Sequence, residues 1–195
     1  MTHTSMSPEQ AWNLLLEGNQ RYVAGQPAHV HQSIERRTEV VAGQHPGAIV
    51  LTCSDSRVPP EILFDQGIGD IFVVRTAGNV ADDVALGSIE YAVEHLGVQL
   101  VVVLGHQKCG AVAATVQGGE VPGHLPSIVN AIKPAVDQTR GQGGDPVDNA
   151  VRANVRLIVA QLRACQPILA EQVHTGHLKV VGAYYSLETG AVSLI

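Results

Sequence analysis

A chain of 195 residues with 45% hydrophobic side chains has the length and apolar content for one compact domain with a sizeable core. Its net charge of -6, with no basic run longer than Arg36-Arg37, argues against a nucleic-acid or anionic-membrane partner. Three cysteines, an odd number, do not make a disulfide scaffold and point to a reduced, cytoplasmic setting, so the thiols need another explanation: metal, catalysis or burial.

The opening stretch MTHTSMSPEQAW is polar and lacks the basic-then-apolar pattern of a signal peptide. No apolar run reaches the roughly 18–20 residues of a membrane span. Ser7 is a good N-cap and Pro8 suits the first helical position. Ala11, Leu14, Leu15 and Tyr22 then recur at helical spacing until Gly25, which predicts a helix over 8–23. Residues 26–44 are polar, with helix expected only around 33–42. Residues 1–44 thus read as an N-terminal helical arm on an α/β core spanning 45–195, in a single domain.

GAIVLTC (47–53) is a continuous apolar run, the pattern of a strand buried on both faces. DIFVVRTAGN (70–79) reads as a second strand and QLVVVLGH (99–106) as a third. The helix between them, over 82–96, has acids in its first turn and Gly97 at its end. CGAVAATVQGG reads as a short helix. PSIVNAIKPAVDQ and VDNAVRANVRLIVAQLRAC read as two more, separated by the loop GQGGDP. HLKVVGAYYSLETGAVSLI alternates around a Thr-Gly turn and reads as a last strand with a hairpin-like tail. Strands alternating with helices imply an α/β fold, a mainly parallel central sheet flanked by helices.

In such sheets ligands gather at the carboxyl ends of the strands. The first strand ends at Cys53 and the third at His106, with Cys109 three residues later. Two thiolates and one imidazole are a usual zinc set, and three protein ligands with an open fourth position mark a catalytic zinc. Singly, each residue has a plainer explanation, since a strand cysteine is commonly a small buried hydrophobe. Together, at strand ends flanked by glycine and polar residues, they form a candidate centre. Cys165 lies on a helix between Leu162 and Ile168 and reads as filler. His95 ends a helix, where a cation suits the dipole. His3, His29, His31, His45, His124, His174 and His177 lie in polar segments, and nothing pairs them as ligands.

Asp55 and Arg57 follow Cys53, one residue apart, and can pair through a charge-assisted, bidentate contact. Beside a zinc, such an aspartate is either a fourth ligand that closes the site or an acceptor that orients a zinc-bound water. The plain alternative is a loop ion pair, worth roughly 0–1 kcal/mol when exposed.

In order along the chain, CSDSRVPPE, FVVRTAGN, GSIEYAVEHLGV and GHQKCGAV resemble the β-class carbonic anhydrases over about residues 8–118, and VVGAYYSLETG resembles the last strand of that family. The resemblance implies that Cys53, His106 and Cys109 hold one Zn2+ per chain and that Asp55 and Arg57 form the dyad beside it. It implies that Gly110 lies near Asp55. It further implies that Gln44, Phe72 and Tyr91, with Val58, line a narrow pocket for CO2 and bicarbonate. That pocket is built across a subunit interface, so a homodimer or a dimer of dimers is expected. The implied reaction is reversible hydration of CO2 to bicarbonate and a proton, by zinc-bound hydroxide that Asp55 orients and with Arg57 keeping Asp55 ionised. Members with a non-catalytic bicarbonate site carry a tryptophan three residues before the first zinc cysteine. Val50 stands there, so the chain resembles the subgroup lacking that site, and an open centre at neutral pH is expected. Competing readings are a carbonyl sulfide or carbon disulfide hydrolase of the same fold, a non-catalytic zinc-binding protein, and an enzyme using Cys53 as nucleophile. The presence of Asp55, Arg57, Gln44 and the aromatic pair speaks against the second, and a C-x3-R loop shorter than a phosphatase needs speaks against the third.

Overall fold

The computed structural model describes residues 6–195, so His3 and the start of the opening stretch lie outside the described residues. The first helix, α1 (Pro8–Val23), begins with a capping box. Ser7 Oγ accepts from the Gln10 N–H at 3.2 Å, and the Gln10 side chain accepts from the Ser7 N–H at 3.0 Å. Its helical spacing buries Ala11 and Leu15 against Ala48, Val50 and Leu100. The segment expected as an arm therefore packs α1 onto its own sheet. By contrast α2 (Ile34–Glu39), continued by a 3-10 turn at Val40–Ala42, buries no side chain.

Two strands, β1 (Ala48–Cys53) and β3 (Leu100–His106), are buried at every residue, as their unbroken apolar runs require of central strands. With β2 (Ile71–Thr76), β4 (Lys179–Tyr185) and β5 (Val192–Leu194) they form one sheet of order β2-β1-β3-β4-β5. The first four are parallel and β5 returns antiparallel to β4. The second strand is shorter than the expected 70–79. It stops at Thr76, and Ala77–Asn79 form a 3-10 turn around Gly78, whose φ is 69°. A Cβ at Gly78 would lie 2.6 Å from Ile132 Cδ1, so both the backbone and the space at this turn demand glycine.

The remaining helices are α3 (Pro60–Leu63), α4 (Asp83–Leu96), α5 (Gly110–Gln117), α6 (Leu125–Thr139), α7 (Pro146–Ala164) and α8 (Ile168–His174). Asp82 caps α4 by accepting from the Ala85 N–H at 2.9 Å, and Gly97 closes it with φ 68°. The period of two along each strand divides the core. Ile49, Leu51, Val101 and Val103 face α4, α7 and α8, while Val50, Val102 and Leu104 face α1 and α3. Each fully buried leucine or isoleucine contributes roughly 1.5–3 kcal/mol of transfer free energy. A third cluster, at the carboxyl end of the sheet, packs Val112 of α5, Ile132 of α6 and Val151 of α7 around Cys53 and Cys109. The short helices α3 and α8 were not expected from sequence. Among the described residues no helix is long and apolar enough to cross a membrane.

The approach of α7 to the sheet depends on missing side chains. A Cβ at Gly105 would lie 2.6 Å from Val155 Cγ2, and one at Gly182 would lie 2.8 Å from Val155 Cγ1. Two strand glycines thus let α7 settle over the strand that ends at His106.

Candidate metal centre

Because β1 and β3 are parallel neighbours, their last residues emerge at the same end of the sheet. Cys53 ends β1 and His106 ends β3. The chain then turns through Lys108 in the left-handed region, φ 55°, and delivers Cys109 to the start of α5. One ligand atom from each of Cys53, His106 and Cys109 lies within 4.8 Å of the others, and all three residues are buried. The two sulfurs are 3.9 Å apart.

The His106 ring is oriented by its own loop. Nδ1 lies 2.9 Å from the Gln107 carbonyl oxygen, which only an Nδ1–H satisfies, and this leaves the Nε2 lone pair free. Nε2 is buried without a hydrogen-bond partner. A buried polar atom left unmatched costs roughly 1–3 kcal/mol. A bare imidazole nitrogen gathered with two thiols fits a soft-to-borderline cation such as zinc.

The thiols are unequal. The hydrogen bond from Cys109 holds the Cys53 thiol well below the usual thiol range. Burial opposes this, while His106 and the N–H groups of Gly78 and Asp55, 3.2 and 3.4 Å from Sγ, reinforce it. That same bond, together with burial, pushes the Cys109 thiol up. One sulfur is poised to be a thiolate, and the other gives up its proton when a cation takes its place.

Asp55 and Arg57 pair as their spacing allows. Arg57 Nε and Nη2 donate to the two carboxylate oxygens at 2.9 and 2.8 Å, and the Arg57 backbone N–H adds a third bond at 2.9 Å. The Arg57 side-chain bonds are the main reason the Asp55 carboxyl falls from 3.8 to about 2, against its partial burial. Asp55 Oδ2 stands 3.9 Å from His106 Nε2. Arg57 also donates to the Lys108 carbonyl at 3.3 Å, which ties the dyad to the loop between His106 and Cys109.

Sequence reasoning passed over Arg75. Lying on β2 opposite Thr52, it donates through Nε to the Cys53 carbonyl at 3.0 Å and through Nη2 to the Asp55 carbonyl at 2.7 Å. One guanidinium therefore clamps the backbone on both sides of Ser54. The available signal was a cation on a strand otherwise apolar from Ile71 to Val74.

Of the remaining residues, Gly110 stays beside the centre and the others lie elsewhere in the protomer. Gly110 opens α5 directly after Cys109, and a Cβ there would meet nothing within 4 Å. Gln44 is exposed in the coil leading to the amino end of β1, the end opposite Cys53. Phe72 pairs in register with Ile49, four residues and about 13 Å before Cys53 along the sheet. Tyr91, on α4, is exposed and packs with Phe72 at 6.4 Å between ring centroids. Gln44, Phe72 and Tyr91 are thus not gathered around the thiols within one copy of the chain. Val58 and Val50 are fully buried in the cluster under α1 and α3, so Val58 lines no open pocket in this protomer. Cys165 is half-buried, with its thiol 3.7 Å from Glu90. His31 pairs with Asp70 at 2.7 Å.

A family model described as carbonic anhydrase matches residues 48–192. The chain is 48% identical to a carbonic anhydrase of Mycolicibacterium smegmatis, over 96% of this chain and 93% of that protein. It is 46% identical to carbonic anhydrase 2 of Mycobacterium tuberculosis, with the same coverage of each. Its fold is similar to that of a β-carbonic anhydrase from Sordaria macrospora described as tetrameric, with a TM-score of 0.76 and 26% identity over 94% of this chain and 96% of the other.

Proposed function

The chain belongs to the β-class carbonic anhydrase family, and from that membership we propose that it catalyses the reversible hydration of carbon dioxide to bicarbonate and a proton, with zinc held by Cys53, His106 and Cys109. The observation that carries this reading is the unpartnered His106 Nε2, gathered with two thiols and 3.9 Å from an aspartate that is already held by arginine. When bound, zinc supplies the Lewis acidity that makes water a nucleophile near neutral pH.

The protein's own groups do the rest. Asp55 is ionised throughout the neutral range and accepts a hydrogen bond from the attacking water, aiming its lone pair at the carbon of CO2. Arg57 occupies both carboxylate oxygens, so Asp55 keeps one orientation and is drawn away from the role of fourth ligand. The centre then stands open, in keeping with Val50 at the position where the bicarbonate-regulated subgroup carries tryptophan. Arg75 holds the backbone that presents Cys53 and Asp55. Cys53, His106 and Cys109 are themselves buried, so contacts to their ligand atoms are made away from bulk water.

The substrate contacts come from two copies of the chain. Phe72 packs with Tyr91 and sits in register with Ile49, four residues before Cys53 along the sheet, which supports a homodimer, or a dimer of dimers, in which they line the partner's pocket. Gln44 supplies the polar contact to substrate. A pocket of this kind admits a small linear molecule and excludes esters and peptides. Stopped-flow rates against CO2, carbonyl sulfide and carbon disulfide test the assignment: CO2 is turned over fastest, and a preference for either sulfur compound overturns it.

A further inference from the structure

We propose that Asn154 is a positioning residue for the metal centre, acting through the Gly78 turn on the hydrogen bond that the Cys53 sulfur accepts. The inference rests on the reading of Cys53 as a metal ligand. It concerns a helix residue 101 positions further along the chain.

The face of α7 that meets the sheet is apolar, with Val151, Val155, Ile158 and Leu162 buried along it. Asn154 lies on that face, only 3% exposed. A carboxamide in such a place is costly unless it is hydrogen-bonded. Its Nδ2 donates to the Gly78 carbonyl at 3.0 Å. The N–H of the same glycine donates to Cys53 Sγ at 3.2 Å.

Gly78 is the weak joint in this path. It sits at φ 69° with no side chain to hold it, and glycine tolerates many backbone angles. Ile132 and Ala111 close in on its Cα, and Thr76 Oγ1 donates to the Val80 carbonyl at 2.7 Å to close the far side of the turn. What remains free is the tilt of its two peptide planes, and Asn154 fixes one of them. The same helix rests on Gly105, just before His106, through Val151 and Val155. So α7 steadies the histidine strand by contact and the cysteine strand by a hydrogen bond.

An N–H bond to a ligating sulfur draws charge from it, and such outer contacts tune the metal. A centre with two sulfurs gains most from this, because each thiolate left unrestrained lowers the acidity of the ion it binds. Asn154 touches neither substrate nor metal, and its effect passes entirely through Gly78.

The test uses the full chain loaded with cobalt(II), comparing the unmodified protein with Asn154→Leu, Asn154→Asp and Asn19→Ala. Leucine does not donate to the Gly78 carbonyl, and aspartate does not once ionised, so the Asn154→Asp readings are taken at pH 9, against the tendency of burial to keep its carboxyl neutral. Asn19 is an equally buried asparagine that makes three hydrogen bonds in a different part of the fold, so its variant controls for general loss of stability. In both Asn154 variants the sulfur-to-cobalt charge-transfer band should move to lower energy. With zinc, kcat should fall about tenfold while KM for CO2 stays constant. Asn19→Ala should leave band and kcat in place. An unshifted band with unmodified kcat in either folded Asn154 variant overturns the proposal, as does an equal shift in Asn19→Ala. If Asn154→Leu does not fold, Asn154→Asp decides by the same readings. If neither folds, the role is structural and the proposal fails. An unmodified protein that takes up no cobalt instead overturns the metal reading itself.

Discussion

The Asp55 carboxylate stands 3.9 Å from Nε2 of His106 while Arg57 grips both of its oxygens. Asp55 is therefore near enough to reach whatever that nitrogen binds, yet already committed. Replacing it with asparagine keeps the shape, removes the charge and turns one of the two acceptor oxygens that Arg57 engages into a donor. We expect Asp55→Asn to retain zinc and to lose about 10²–10⁴ in kcat for CO2 hydration, the usual worth of a positioned acid or base. An Asp55→Asn protein as fast as the unmodified one would refute the role.

Arg57 gives a pH signature of defined sign. Asp55 is depressed in the folded state, so its contribution to stability is complete above the ordinary 3.8 and is lost as pH falls through about 2. Arg57→Ala removes the main cause of that depression. Its stability should vary less with pH between 3.8 and 2, read by urea unfolding at closely spaced pH values. At pH 7 Asp55 stays ionised in the variant, so any loss of activity there reports lost orientation rather than protonation. A variant whose acid-limb stability tracks the unmodified chain would contradict the pairing.

The clamp made by Arg75 depends on a planar fork, since one guanidinium reaches two carbonyls at 3.0 and 2.7 Å. A lysine is a point charge and replaces at most one of these bonds. Arg75→Lys should bind zinc about tenfold more weakly in competition with a chelator, and Arg75→Ala more weakly still. Equal affinities in all three proteins would remove the clamp from the account.

The seating of α7 can be tested by adding one methyl group. In Gly105→Ala the new Cβ meets Val155 Cγ2 at 2.6 Å and Val151 Cγ1 at 3.1 Å. The overpacking should cost about 1–3 kcal/mol in urea unfolding. Because the clash is with Val155, adding Val155→Ala to Gly105→Ala should cost less than the sum of the two single changes. Strict additivity would mean that the helix does not rest there.

Much of this was legible in the sequence because its signals are local. The unbroken apolar runs at 48–53 and 100–106 announce central strands, and Ser7, Asp82 and Gly97 mark helix ends through their own hydrogen bonds and backbone angles. The pattern C-x-D-x-R with H-x-x-C marks the centre, because parallel neighbouring strands bring their ends together. What escaped is what depends on distant partners. Arg75 acts on carbonyls 20 and 22 residues away, and backbone acceptors leave no trace in the sequence. The second strand stops early because Gly78 turns the chain under Ile132, a contact 54 residues distant. The four residues of α3 begin on the second member of a proline pair that reads as punctuation. Asn154 did leave a trace, a lone polar side chain on the buried face of α7.

The central claim is that Cys53, His106 and Cys109 hold a zinc ion that the hydration of CO2 requires. The most direct measurement is zinc content with the CO2 hydration rate, taken on the same preparations of the unmodified chain, Cys53→Ser and His106→Ala. We predict about one zinc per chain in the unmodified protein, as a three-ligand catalytic site requires, and loss of metal and activity together in both variants. Hydration that persists in a zinc-free variant, or a zinc-loaded unmodified chain that does not hydrate CO2 at any pH from 6 to 9, would contradict the account.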